Sequence, residues 1–158
     1  MTSLRDLLSK WHLDNLNINA GFLQASISFK DADRAAAWDM YIELLTRVTT
    51  QYLEPEHGDE KSALDSFYAL FGLTREVIKK NGPNCINFAK LAIVILNQVI
   101  RPFTAKWHKL SLAGAFADPV QCLLFRQEME DLQTTLRKYT VSLADIAGVE
   151  DLTDFEIH

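Results

Sequence analysis

Three residues in one short string have the types and the spacing to handle a phosphate. The string reads Asn97-Gln98-Val99-Ile100-Arg101-Pro102-Phe103-Thr104-Ala105-Lys106-Trp107-His108. On a helix, Asn97 and Arg101 stand one turn apart at i, i+4, and His108 follows Arg101 at i, i+7. Seven helical residues return to within about 20° of the starting direction and rise about 10.5 Å. An extended arginine and a histidine leaning back toward it can then converge on one anion. A plainer reading competes. Arg101 closes a buried helix and carries its charged head out to solvent or to a carboxylate, while Trp107 anchors the next turn.

A second polar set lies upstream. Asp39, Glu43, Arg47 and Gln51 fall at successive i, i+4 positions, with Thr46, Thr49 and Thr50 beside them. Acid before base at this spacing stabilises an exposed helix by a few tenths of a kcal/mol, so a solvated face is the ordinary meaning. The functional reading takes Glu43, Arg47 and Gln51 as a polar groove for a ligand or for a partner's backbone.

Metal and cofactor chemistry finds no footing. Glu54-x-x-His57 has the local form of a di-iron ligand pair, but Pro55 and Gly58 surround it, and a four-helix carboxylate site needs a second such pair plus two further glutamates. His12, His108 and His158 are scattered. Cys85 and Cys122 lie far apart with no metal-binding spacing and read as small apolar residues in a reducing compartment. No glycine-rich phosphate loop and no Gly-x-Ser-x-Gly occurs. The expectation is no metal and no cofactor.

The Arg101-x6-His108 spacing resembles the Arg-x4–6-His pattern of the HEPN family, small all-helical ribonucleases and nucleotide-modifying enzymes. That resemblance implies His108 as the general base on a ribose 2′-hydroxyl and Arg101 as the stabiliser of charge at the scissile phosphorus. It also implies pairing of two copies. Proline follows Arg101 here, where the family carries a polar residue. The β-hairpin reading, the Arg47-Val48-Thr49-Thr50-Gln51 stretch and the Arg101-Pro102-Phe103-x3-Trp107-His108 segment together resemble small uncharacterised bacterial helical proteins, which implies an accessory or defence-related setting.

The elements that must position these residues follow from periodicity. Thr2 or Ser3 can cap a short helix carrying Leu4, Leu7, Leu8 and Trp11 at i, i+3, i+4, i+7. Leu16 and Ile18, then Leu23, Ala25, Ile27 and Phe29, alternate with polar residues around Asn19-Ala20-Gly21, which predicts a β-hairpin over about 14–30. Four long helices then follow at about 31–54, 59–81, 84–108 and 118–147. The first carries a stripe of Trp38, Tyr41, Leu45, Val48 and Tyr52. The third, from Ile86 to Ile100, is apolar nearly all round and is expected to be the central post of a helical bundle. The fourth has a heptad seam of Phe125, Met129, Leu132, Leu136, Tyr139, Leu143 and Ile146, suited to near-parallel packing within the bundle or against another chain. Residues 149–158 form an acidic tail.

Composition bounds the rest. With 158 residues, 48% apolar and 23% charged, the chain reads as one globular domain over 1–158 and not as a disordered one. A net charge of −5 argues against a general nucleic-acid binder. The N-terminal residues have no signal-like apolar stretch, and Leu91–Leu96 is the longest pure apolar run, far short of the roughly 20 residues that span a bilayer. The expectation is therefore a mainly α, cytoplasmic, non-catalytic module. It would bind a protein partner or its own copy through the hairpin or the 125–146 face, as a regulator, adaptor or small subunit, away from membranes and nucleic acid.

Overall fold

The structure is a computed structural model that describes residues 2–57 and 59–156. Met1, Gly58, Ile157 and His158 lie outside the described residues. The fold is mainly α with one two-stranded antiparallel pairing. In chain order come β1 (Thr2–Ser3), α1 (Leu4–Lys10), α2 (Ala20–Gln24), β2 (Ser26–Ile27), α3 (Asp31–Leu45) and α4 (Glu60–Asn81). Then come α5 (Ile86–Val94), a π-helical turn (Ile95–Ile100), α6 (Arg101–Leu112) and α7 (Pro119–Ala147). Short 3-10 turns at Pro83–Cys85 and Ala115–Ala117 lead into α5 and toward α7.

The helix ends are written in capping residues. Ser3 accepts a hydrogen bond from the Asp6 N–H, Asp59 from Ser62 N–H and Asp118 from Val120 N–H, so each satisfies an orphan donor of the first turn. Gly148 closes α7 in the left-handed region at φ 72°, and Val149 N–H reaches back to the Ala144 carbonyl. His12 does the same for α1 at φ 59°, with Leu13 N–H on the Leu8 carbonyl at 2.8 Å and the Leu13 side chain buried.

Asp33 ties two helices together from inside the core. Fully buried, it accepts from Lys30 N–H at the start of α3 and from Phe88 N–H in the first turn of α5, at 2.9 and 2.8 Å. Two orphan backbone donors and the positive end of the α5 dipole thus meet one carboxylate, which is what permits its burial.

Three expectations need correction. The first long helix ends at Leu45, not near 54. Thr50 Oγ1 donates to the Leu44 carbonyl and Gln51 Nε2 to the Leu45 carbonyl at 2.7 Å, so side chains take over the last helical acceptors and the chain turns away. The core face of α3 is Asp33, Ala36, Ala37, Met40, Tyr41 and Leu44, and Trp38 is exposed.

The strand pairing joins β1 to β2, Thr2 opposite Ile27 and Ser3 opposite Ser26. Leu16 and Ile18 pair with no strand among the described residues, and the expected turn region around Gly21 is the helix α2. The third correction concerns the centre. The run from Pro83 to Leu112 is helical throughout, but α3 is the element that packs on α4, α5 and α7, while Ile86 and Ile93 of α5 remain exposed. By length and composition that run is long and apolar enough to cross a membrane, with 44% of its most apolar window buried in the fold. The heptad seam of α7 is buried along its whole length, against α3 above all.

Candidate functional site

Arg101 opens α6 directly after the π-turn, where its own N–H bonds to the Leu96 carbonyl, five residues back. Its Nε donates to Asn97 Oδ1 at 3.2 Å, so the predicted i, i+4 pair is formed. The guanidinium lies 4.6 Å from the centre of the Phe71 ring, a cation–π contact with α4. His108, two turns on and half-buried, meets the edge of Tyr68 at a 5.0 Å ring separation, and Tyr68 meets Phe71 at 5.8 Å. Arg101, Phe71, Tyr68 and His108 therefore form one ridge along the α4–α6 surface. The arginine and the imidazole each rest on a different ring, which gives each a packing task.

Trp107 is fully buried and stacks on Phe116 of the following turn at 5.9 Å, with Phe125 edge-on at 5.2 Å. It anchors the α6–α7 connection, as the plainer reading expects.

The upstream polar set is divided. Glu43 and Arg47 form a two-pronged ion pair, with Nε at 3.1 Å and Nη2 at 3.0 Å from one carboxylate oxygen. Arg47 already lies past the end of α3, and the Gln51 amide is spent on the Leu45 carbonyl, so the i, i+4 row does not continue as one face. Glu43 instead joins Trp38, Asp39 and Ile42 along a groove facing α4. Among the described residues no group of three or more His, Cys, Asp or Glu is placed to hold a metal ion. Cys85 is buried and Cys122 half-buried, and burial pushes both thiols up from their ordinary value, away from thiolate chemistry.

Sequence reasoning missed the most conspicuous surface, which lies where α6 turns into α7. Leu112 is 91% exposed, Val120 71% and Leu123 61%, and Leu124 is exposed beside them. Val120, Leu123 and Leu124 fall at i, i+3, i+4 on the outer side of α7, opposite the buried seam that begins at Phe125. A cavity of about 300 Å³ adjoins this row, and Leu123 shares its wall with Tyr52, Leu53, Cys122, Arg126 and Met129. Arg126 is held by Glu60 at 2.7 Å and by the His57 carbonyl at 3.3 Å, and its buried Nη1 has no hydrogen-bond partner among the described residues. The available signal was the start of the seam: the apolar residues just before Phe125 do not fit its spacing and had to point elsewhere.

Comparison with protein-family models, with curated proteins and with solved structures finds no match.

Proposed function

We propose that this chain is a non-catalytic helical interaction module that docks a helix of a protein partner on the outer row of α7. The observation that carries the reading is the exposed series Leu112, Val120, Leu123 and Leu124 beside a cavity sized for an anchoring side chain. An exposed apolar patch beside a pocket marks an interaction surface, and a partner's amphipathic helix lays its own apolar anchors into such a recess. The 125–146 seam and the two-residue strands are poorer candidates, the first being spent on the chain's own core and the second offering almost no edge. A regulator, adaptor or small subunit of a bacterial, defence-related assembly is the setting this reading proposes.

The test is co-purification from native extract together with light scattering at micromolar concentration. A discrete complex that is lost in Val120→Glu/Leu123→Glu, with helix content unchanged, supports the module. A strictly monomeric chain that captures nothing, or capture indifferent to the double change, removes it. The ribonuclease reading stands second, because neither Arg101 nor His108 has a carboxylate partner among the ion pairs of the described residues. Its signature is metal-independent RNA cleavage abolished by Arg101→Ala and by His108→Ala.

A further inference from the structure

Residues 13–30 arch over the helical run formed by α5 and the π-turn, and the arch is tied to that run at two points. At one, the Gln98 amide clasps the Asn17 backbone, Oε1 accepting from N–H at 2.9 Å and Nε2 donating to the carbonyl at 2.7 Å. At the other, Asn87 Nδ2 donates to the Ser28 carbonyl at 2.8 Å. Asn87 and Gln98 stand eleven residues apart, about 16 Å along the helix axis. Between them on the same face come Lys90, Leu91 and Val94, at i+3, i+4 and i+7 from Asn87.

Ile18, Leu23, Ile27 and Phe29 of the arch pack on the core, but the arch does not close over the whole of this floor. A cavity of about 250 Å³ remains, walled by Leu4, Ile18 and Phe22 on one side and Leu91, Ile93 and Val94 on the other. Phe22 is 56% exposed and Ile93 47%, while Leu23, the neighbour of Phe22 on α2, is the residue of that helix that packs on the core. Each square ångström of apolar wall left to water forgoes about 25 cal/mol, so this roof is poorly used by the chain alone.

Among the described residues, Lys90 is the single charged side chain on the wall. Its ammonium takes part in no ion pair among the described residues and contacts only Asn87 Oδ1 at 3.4 Å and the Phe22 ring at 5.7 Å. One point-like cation at an apolar cleft matches a singly charged head on an apolar chain. A doubly charged phosphate is better matched by the forked donors of an arginine or by several cations than by one lysine on an apolar wall.

We propose that the cleft beneath the arch binds a free amphipathic carboxylate of the fatty-acid kind, its chain against Phe22, Ile93 and Val94 and its head on Lys90. The proposal is independent of the α7 docking surface. Its test is calorimetric titration of the intact chain with sodium decanoate, decan-1-ol and decyltrimethylammonium, each below micelle formation.

Decanoate should bind once per chain, and the cationic amphiphile at least about tenfold more weakly. Lys90→Met keeps the apolar stem and should weaken decanoate about threefold to fivefold while leaving decanol unchanged. Ile93→Trp should fill the cleft and abolish decanoate binding. Both positions are exposed, and circular dichroism checks that helix content is retained. Absence of decanoate binding, equal affinity for the cationic amphiphile, or undiminished binding in Ile93→Trp would overturn the assignment.

Discussion

Residues 46–51 and residues 13–30, the second with α2 and β2 within it, are both fastened to neighbouring helices by side-chain amides, but in opposite surroundings. In the first, Gln133 of α7 donates to the carbonyls of Val48 and Gln51 at 2.6 and 3.1 Å, and Arg137 donates to that of Thr50 at 2.8 Å. Gln133, Thr49 and Thr50 are all buried. In the second, the Gln98 clasp on Asn17 is just as short but lies in the open. Length does not rank these bonds. A carbonyl stripped of its partner in the interior has no water to turn to, whereas one at the surface is rehydrated at once.

That contrast is broken or sharpened by three substitutions, taken in order of effect. Gln133→Ala leaves the part-buried carbonyls of Val48 and Gln51 without their buried donor and should cost about 1.5 kcal/mol in urea unfolding. A loss near zero would mean that the 46–51 turn relaxes into water and that the contrast fails.

Asp145 lies between the extremes. Its Oδ2 accepts from Trp11 Nε1 at 2.8 Å and from Lys10 Nζ at 2.9 Å, fastening α1 to α7. Burial pushes its carboxyl up, but the Trp11 and Lys10 hydrogen bonds and the lysine charge together outweigh it and hold the group below its ordinary value. A carboxylate depressed on folding contributes stability above its unfolded-state value and loses it as pH falls through the lower folded one. Asp145→Ala should therefore cost about 1 kcal/mol at neutral pH. The gap in melting temperature to the parent should close as pH drops below about 4. A gap constant down to pH 3 would show that the shift is not there.

Gln98→Ala, the smallest, should cost under about 0.5 kcal/mol and show instead as faster amide exchange at Asn17. A global loss as large as that of Gln133→Ala would erase the distinction between buried and exposed fastenings.

The same residues show what could be read from sequence. The boundaries at Asp59, Asn81-Gly82, Asp118-Pro119 and Gly148 were legible because each cap is a local event. So was the α7 seam, whose spacing is its own evidence. The alternation around Leu16 and Ile18 looks like a strand because Leu16 is buried and Ile18 half-buried while Asn17 is exposed. What lies opposite Asn17 is a single side-chain amide 81 residues away, which period two cannot distinguish from a neighbouring strand. The end of α3 at Leu45 was hidden for a related reason, since Thr50 and Gln51 cap it by side chain and Gln133 and Arg137 stabilise the exit from far along the chain. Of the sites, the Asn97–Arg101 bond follows from spacing alone. The rings of Tyr68 and Phe71 under Arg101 and His108 come from another helix and leave no trace in that string.

The π-turn at Ile95–Ile100 has a bearing on how insertions and deletions would be tolerated in this chain. A π-turn holds one residue more than an α-helix of the same height. Were Ile95–Ile100 to wind as regular α-helix with its length unchanged, the following segment would turn by about 100°. Trp107 would swing away from Phe116 and Phe125, and the outward-facing Arg101 would be carried around with it. Loss of a single residue from this stretch would instead leave an unbroken α-helix with Trp107 still in phase, so these six residues are where the helix absorbs a one-residue deletion.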